Sequence, residues 1–375
     1  MDPRLTNISE KDGILRFRLE GVNVSLANAV RRTLLTDIDT VVFRTFPHTE
    51  NQADILVNTT RFNNEILKQR LGCIPIHIQD TGIPIEQYVV EVHKKNETDT
   101  IQYVTTADFK VKNVKTGTYL KDSENQKIFP PNRITKQFID FARLSPKISS
   151  EIDGSELHFV AKMSISNAGY DAMYNAVSTC AYKNTPDKVL ANEKKDEFED
   201  QLRGKGLKQD EIIFETKNWS LLEAKRFVVE NSYDFVVETV GVFPNKVLLQ
   251  KACDSIIDRL NRLSSEEEDS YIAYEKSLTT IPHSYDIILK NEDYTIGKIM
   301  EFYLYKQYYL GDKQLSFVGF TKEHPHDDHS IIRVGFKEPT DVDVAKGFIS
   351  NGVAKLVQIY KEIRKAFEHE IIQAP

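Results

Sequence analysis

His324, His326 and His329, with Asp327 and Asp328 among them, are the densest set of potential metal ligands in the sequence. Imidazoles and carboxylates at that spacing suit zinc, and a bound zinc would turn water into a nucleophile. A stand-alone metal-dependent hydrolase built on this cluster is therefore one reading. A turn rich in polar residues is the other. Glu266 to Asp269 are four adjacent carboxylates, but nothing in the sequence sets a base, a nucleophile or a further ligand beside them. They read as a linker, and the Asp37-x-Asp39 pair reads as a turn. No Gly-rich phosphate loop, G-x-S-x-G elbow or Cys/His nucleophile pair occurs. Asn28, Arg31 and Arg32 offer a different chemistry. Guanidinium forks bond carboxylates and backbone carbonyls in fixed geometry, which suits protein docking.

The bulk properties narrow the field. At about 150 residues per domain, 375 residues give two to three domains. With 49 basic and 56 acidic side chains the net charge is −7, which argues against a protein that grips nucleic acid through its own surface. Sixteen Tyr and 20 Phe exclude a disordered chain. No stretch reaches the roughly 18 apolar residues of a membrane-spanning helix, and the start, Met1-Asp2-Pro3-Arg4-Leu5, lacks the apolar run of a signal peptide. Cys73, Cys180 and Cys253 are odd in number and far apart, without a C-x-x-C pair. Neither a disulfide framework nor a cysteine zinc site follows, and a reducing compartment is expected.

Leu15, Phe17 and Leu19 alternate with Arg16 and Arg18, predicting a strand with one buried face. A turn at Gly21 to Asn23 follows, with Ser25 placed to cap a helix. In that helix Leu26, Ala29, Val30, Thr33 and Leu34 form the apolar stripe, and Asn28, Arg31 and Arg32 lie off it. Val41 to Phe43 closes the unit as a strand. From about Pro47 to Arg226 the pattern changes to short strands among turns, as an insertion would. Within it, Ala191 to Lys217 holds 14 charged residues of mixed sign in 27, read as solvated helix and loop. Phe227 to Val242 predicts strands with a turn near Asn231-Ser232. Pro244 then opens a helix with Leu248, Ala252, Ile256 and Leu260 at every fourth position. Past the acidic run the opening pattern returns. Tyr285, Ile287 and Leu289 alternate, Asn291-Glu292-Asp293 makes a polar turn, and Ile296 to Tyr305 reads as a helix. Two strands follow, around Leu315 to Val318 and Ile332 to Phe336. Thr340 with Asp343 forms a capping-box-like start to a last helix near 30 residues long. Each half thus carries strands, a short helix and a long amphipathic helix, as an imperfect duplicate.

The run from Gly21 to Leu35 (GVNVSLANAVRRTLL) resembles the assembly helix of the alpha-like subunits of cellular RNA polymerases. These are the bacterial alpha amino-terminal domain, the archaeal D subunit and the third-largest subunit of RNA polymerase II. Asn58-Thr59-Thr60, Asn64-Glu65-Ile66 and Arg70 to Pro75 are similar to a second block of that family, and Phe235 to Gly241 to a third. The carboxyl-terminal half resembles the small partner, archaeal L or the eleventh subunit of RNA polymerase II. Its carriers are Asp293-Tyr294-Thr295-Ile296-Gly297 and Gly319 to Pro325. Both partners on one chain resembles the polymerases of large DNA viruses. Lys298 and Glu301 depart from the family pattern, and the cysteine cluster of many D-type insertions is absent. His324-Pro325 falls on a family turn where no metal is expected.

The resemblance implies an α+β fold: two alpha-like dimerisation folds, each an antiparallel sheet plus helices, joined as a pseudo-twofold pair with an inserted β-rich domain. Residues 1–46 and 227–263 would form the D-type domain, 47–226 the insertion, 264–282 a linker and 283–375 the L-type domain. The function implied is that of a non-catalytic assembly subunit of DNA-dependent RNA polymerase. Partners would be the second-largest and largest subunits, with a small tenth-subunit-like protein beside them. Docking would fall to Asn28, Arg31, Arg32, Asn58, Thr59, Thr60, Arg61 and Arg70, though Thr59 and Thr60 equally suit an ordinary strand. Pairing of the halves would use Leu26, Val30, Leu34, Leu248, Ala252, Ile256, Ile296, Phe348, Val353, Leu356 and Tyr360. No metal, cofactor, membrane or primary DNA-binding role is expected. The compartment would be a cytoplasmic viral factory or virion if the chain is viral, and the nucleus otherwise.

Overall fold

Two antiparallel strands open the chain. In the computed structural model, which describes residues 1–264 and 271–368, β1 (Arg4–Lys11) and β2 (Ile14–Glu20) are joined by Asp12 and Gly13, both at positive φ. Leu15, Phe17 and Leu19 point into the core as their alternation predicts. At the exit of β2, Gly21 adopts φ +77°, and a Cβ there would sit 2.1 Å from the Asp2 carbonyl oxygen. Only glycine fits this turn. The helix that follows, α1 (Val24–Thr36), is capped by Asn23 and not by Ser25. Asn23 Oδ1 accepts the Ser25 backbone N–H at 3.0 Å and the Ser25 hydroxyl at 2.9 Å.

The chain next builds β3 (Thr40–Val42), β4 (Ala53–Asn58), α2 (Asn64–Gly72), β5 (Tyr88–Lys95), β6 (Gln102–Thr105) and β7 (Lys110–Asn113). It continues through α3 (Asp122–Ile128), β8 (Asp140–Leu144), β9 (Glu156–Lys162) and β10 (Ser164–Ser166). Antiparallel β4-β9-β5-β7, with the pairs β6-β8 and β10-β3, surrounds a core centred on Phe109. The Phe109 ring meets those of Phe43, Phe129, Phe141 and Phe159 at 5.3–6.5 Å, within the range of favourable edge contacts. This stretch is rich in β-strands.

Returning, the chain forms β11 (Val177–Pro186), α4 (Lys188–Gly204), α5 (Gln209–Leu221), β12 (Val228–Thr239) and α6 (Asn245–Arg262). The turn expected at Asn231-Ser232 is absent. Asn231 takes φ +54° and the strand runs on, because its carbonyl accepts the Gly21 N–H and Ser232 stays paired with Glu20. The sheet order is β1-β2-β12-β11.

The carboxyl-terminal half holds β13 (Ile272–Lys276), β14 (Ser284–Lys290), α7 (Tyr294–Leu304), β15 (Leu315–Thr321), β16 (His329–Phe336) and α8 (Val342–Ala366). Its antiparallel sheet has the order β13-β14-β16-β15. Strand β13 lies in the span expected as linker, and the acidic run Glu266 to Asp269 lies outside the described residues. Helix α7 widens into π-type turns over Tyr305–Gly311, where Tyr308 stacks on Phe348 of α8 at 3.7 Å. The last helix has 25 residues, and the expected capping box does not form: Asp341 precedes the helix without a side-chain cap, and the Thr340 hydroxyl turns back to the Glu338 carbonyl.

The chain falls into two compact units. One comprises residues 1–33, 179–238 and 249–375, the other 34–178 and 239–248. Strand β11 from Thr179 onward and helices α4 and α5 thus join the first unit, where the sequence had placed them in the insertion. The fold is α+β with antiparallel sheets throughout.

Candidate assembly surface

Helix α1 presents two faces. Leu26, Ala29, Val30, Thr33 and Leu34 are all buried, as their spacing predicts. On the other face Arg31 Nε donates to Asn28 Oδ1 at 2.9 Å, and the remaining Arg31 donors meet no partner among the described residues. Arg32 behaves differently. Its Nη2 donates to Asp293 Oδ2 at 2.6 Å and its Nε to Thr295 Oγ1 at 2.9 Å. The arginine expected to grip a second subunit is thus held inside the first unit by the start of α7.

Asp293 is the centre of this cluster. Its Oδ1 accepts the Thr295 N–H at 2.8 Å, which caps α7, and Arg259 Nη2 of α6 stands 3.6 Å away. Beside it, Arg259 Nε donates to both oxygens of Glu292 at 3.1 and 3.2 Å. The Arg259 and Glu292 side chains are 17% and 8% exposed, so this pair is largely withdrawn from water. The sequence signal was present in Asn291-Glu292-Asp293, which read as a polar turn, with Asp293 also opening a family block. Burial disfavours the Asp293 carboxylate. The Thr295 backbone and hydroxyl bonds and the charges of Arg32 and Arg259 outweigh it and hold the Asp293 pKa below its usual 3.8. A depressed carboxyl contributes stability above the unfolded-state value and loses it as pH falls through the lower folded value. Stability should therefore decline below about pH 4, with Asp293→Asn showing a shallower decline than the parent in acid unfolding curves.

Further contacts join the same elements. The Tyr360 hydroxyl of α8 donates to the Leu26 carbonyl at 3.2 Å, with both residues fully buried. Burial pushes the Tyr360 phenol well above its ordinary pKa, which keeps it a donor. Arg364 Nε bonds Asp254 Oδ1 of α6 at 2.6 Å. The Phe367 ring meets Phe17 edge-on at 5.2 Å, and Phe17 stacks on Phe235 at 5.0 Å. Of the residues expected to join the halves, Leu26, Val30, Ala252, Ile256, Ile296, Phe348, Val353, Leu356 and Tyr360 are buried in the first unit. Leu34 and Leu248 are also buried, but they belong to the second. Cys253 is a core residue, and burial raises it and Cys180 to about 12, so neither is a thiolate at neutral pH.

In the second unit, Asn58 organises the loop before α2. Its Oδ1 accepts from the Thr60 N–H and hydroxyl, and its Nδ2 donates to the Phe62 carbonyl and Asn64 Oδ1. Thr59 extends the ladder: its N–H donates to the Glu156 carbonyl at 3.0 Å, and its hydroxyl accepts the Glu156 N–H at 2.7 Å. Thr59 thus directly follows β4 and continues its pairing toward β9 through these two bonds. Arg70 Nε and Nη2 donate to the carbonyls of Phe141 and Asp140, which ties α2 to β8. Arg61 is exposed and makes no hydrogen bond or ion pair among the described residues. So Arg31 and Arg61 have donors that meet no partner among the described residues, while Arg32, Asn58, Thr59 and Arg70 are engaged within the chain.

The histidine cluster forms an exposed turn. The His324 N–H donates to Asp327 Oδ2 at 2.9 Å, and His324 Nδ1 accepts the His326 N–H at 3.1 Å. These bonds engage one oxygen of Asp327 and one ring nitrogen of His324. Among the described residues no three His, Cys, Asp or Glu side chains converge as a ligand set, which leaves the hydrolase reading without a site.

Residues 16–260 match the family model described as the RNA polymerase Rpb3/Rpb11 dimerisation domain. The chain is similar to DNA-directed RNA polymerase subunit Rpo3 of Pyrococcus furiosus, with 24% identity over 275 residues, 69% of this chain and 97% of that protein. It is also similar to subunit RPAC1 of the Homo sapiens DNA-directed RNA polymerases I and III, at 24% over 306 residues, 70% of this chain and 84% of the relative. A shorter stretch of 74 residues, 20% of this chain and 21% of the relative, is 32% identical to subunit 3 of RNA polymerases II, IV and V of Arabidopsis thaliana. The matched span runs from β2 through α6 and includes every element that carries the Asn28, Arg31 and Arg32 face. The chain belongs to the RNA polymerase Rpb3/Rpb11 dimerisation domain family.

Proposed function

We propose that this chain is a non-catalytic assembly subunit of DNA-dependent RNA polymerase whose two ends form the dimerisation platform within one polypeptide. The observation that carries this reading is the cluster around Asp293. It joins α1 and α6, inside the family match, to α7, which lies beyond the match at residue 260. The carboxyl-terminal half supplies a sheet and two helices, as a small L-type partner would. Fusion holds such a partner at roughly millimolar effective concentration, so the pair need not assemble from dilute chains. One chain carrying both partners resembles the polymerases of large DNA viruses. On that reading its compartment is a viral factory or the virion; otherwise it is the nucleus.

The second-largest subunit docks on the outward face of α1 and on the loop before α2, with the largest subunit recruited through it and a tenth-subunit-like protein at the side. Arg31 and Arg61 are the residues whose free guanidinium donors fit that role. Neither makes a bond to Asp293, Glu292 or Arg259, so their reversal should leave those ion pairs in place. Arg31→Glu with Arg61→Glu should reduce capture of the second-largest subunit by about tenfold or more in pull-downs, with the thermal midpoint unchanged. Undiminished capture would remove both residues from the docking surface.

A further inference from the structure

One face of the β1-β2-β12-β11 sheet carries a groove of about 490 Å³ that none of the assembly residues line. Strand alternation sends Phe17 and Phe235 to the core, where their rings stack, and leaves Arg16, Arg18, Asp234 and Val236 on the opposite face. The ladder sets Arg16 opposite Val236 and Ser9, and Arg18 opposite Asp234. Lys183 and Ala181 of β11 line the same groove. Arg18 Nε donates to Asp234 Oδ1 at 2.7 Å and its Nη1 stands 4.0 Å from Glu20 Oε1, so Arg18 is fully compensated by carboxylates of the chain. Arg16 and Lys183 are exposed and hold no ion pair among the described residues. A site with two uncompensated cations and a floor of short apolar side chains thus sits on a chain of net charge −7.

We propose that this groove binds a short acidic segment of a partner protein. An apolar side chain rests on Val236 and Ala181, and carboxylates on either side meet Arg16 and Lys183. Charge complementarity selects the sign of the ligand, and bidentate guanidinium bonds favour carboxylates. A nucleic-acid strand fits less well. The rings of Phe17, Phe235 and Tyr182 pack on one another and on Tyr233, which leaves no free stacking platform, and the chain's net charge repels a polyanion at longer range. The proposal stands apart from the polymerase reading, since it uses none of the docking residues.

Fluorescence anisotropy on the full chain tests it with three labelled probes: a peptide of alternating Glu and Leu, its Lys/Leu counterpart, and oligothymidylate. The Glu/Leu peptide should bind saturably, more weakly as salt rises, and about tenfold more weakly to the variant carrying Arg16→Glu and Lys183→Glu. The neutral pair Arg16→Gln with Lys183→Gln should lose less, and both variants should unfold at the parent temperature. Absence of Glu/Leu binding at millimolar peptide, equal binding by the charge-reversed variant, or tighter binding of oligothymidylate would each overturn the proposal.

Discussion

Tyr360→Ala should cost about 3–5 kcal/mol of unfolding free energy, the usual range for removing a large buried aromatic. The side chain is fully buried, and its hydroxyl bonds the Leu26 carbonyl across 334 residues of sequence. Truncation leaves a cavity between α8 and α1 and removes that donor. Tyr360→Phe separates the two effects. It keeps the ring and deletes only the hydrogen bond, and should cost about 1 kcal/mol. Urea titration followed by circular dichroism reads both, and a cost below 1 kcal/mol for the alanine variant would mean that α8 does not depend on this contact.

The second large effect is expected at Arg259. Replacing it with Met removes the guanidinium from Glu292, a carboxylate only 8% exposed, and from the neighbourhood of Asp293. Breaking a buried pair at one end costs about 3–5 kcal/mol because the remaining charge keeps its desolvation penalty. Glu292→Leu in the Arg259→Met background should recover much of that loss, since a matched apolar pair avoids the penalty. Additive costs for the two substitutions would show that the residues are not coupled.

The periodic elements were legible in the sequence. The stripes of α1, α6 and α8 and the alternation of β2, β9 and β14 follow from burial on one face, and burial is written in residue type. Features set by partners distant in sequence were not. Strand β1 (RLTNISEK) has no alternation, since β2 decides its place by pairing. Asn231 looks like a turn residue, and only the bond from Gly21 shows why the strand passes through it. Strand β13 hides next to an acidic run because polar neighbours dominate the local pattern.

The site was legible in part. The family blocks drew attention to Asn28, Arg31, Arg32 and Asp293, but not to which of them serve the chain itself. Arg32 and Arg31 are adjacent and alike in type, yet only Arg32 points at Asp293. Sequence spacing places a side chain on a face of a helix, and the partner 261 residues away decides its role. Ser25 was a reasonable cap by residue type. Asn23 won because the helix begins at Val24, two residues earlier than a Ser25 cap would give, and there the Asn23 carboxamide reaches the Ser25 N–H.

The packing of the amino-terminal elements against the carboxyl-terminal half underlies this account, and expressing residues 1–264 and 271–375 as two separate chains in one cell tests it most directly. Co-elution as a one-to-one complex on size exclusion, lost when Tyr360→Ala and Arg259→Met are combined, is the predicted result. Two soluble fragments that elute apart and refold independently would contradict it.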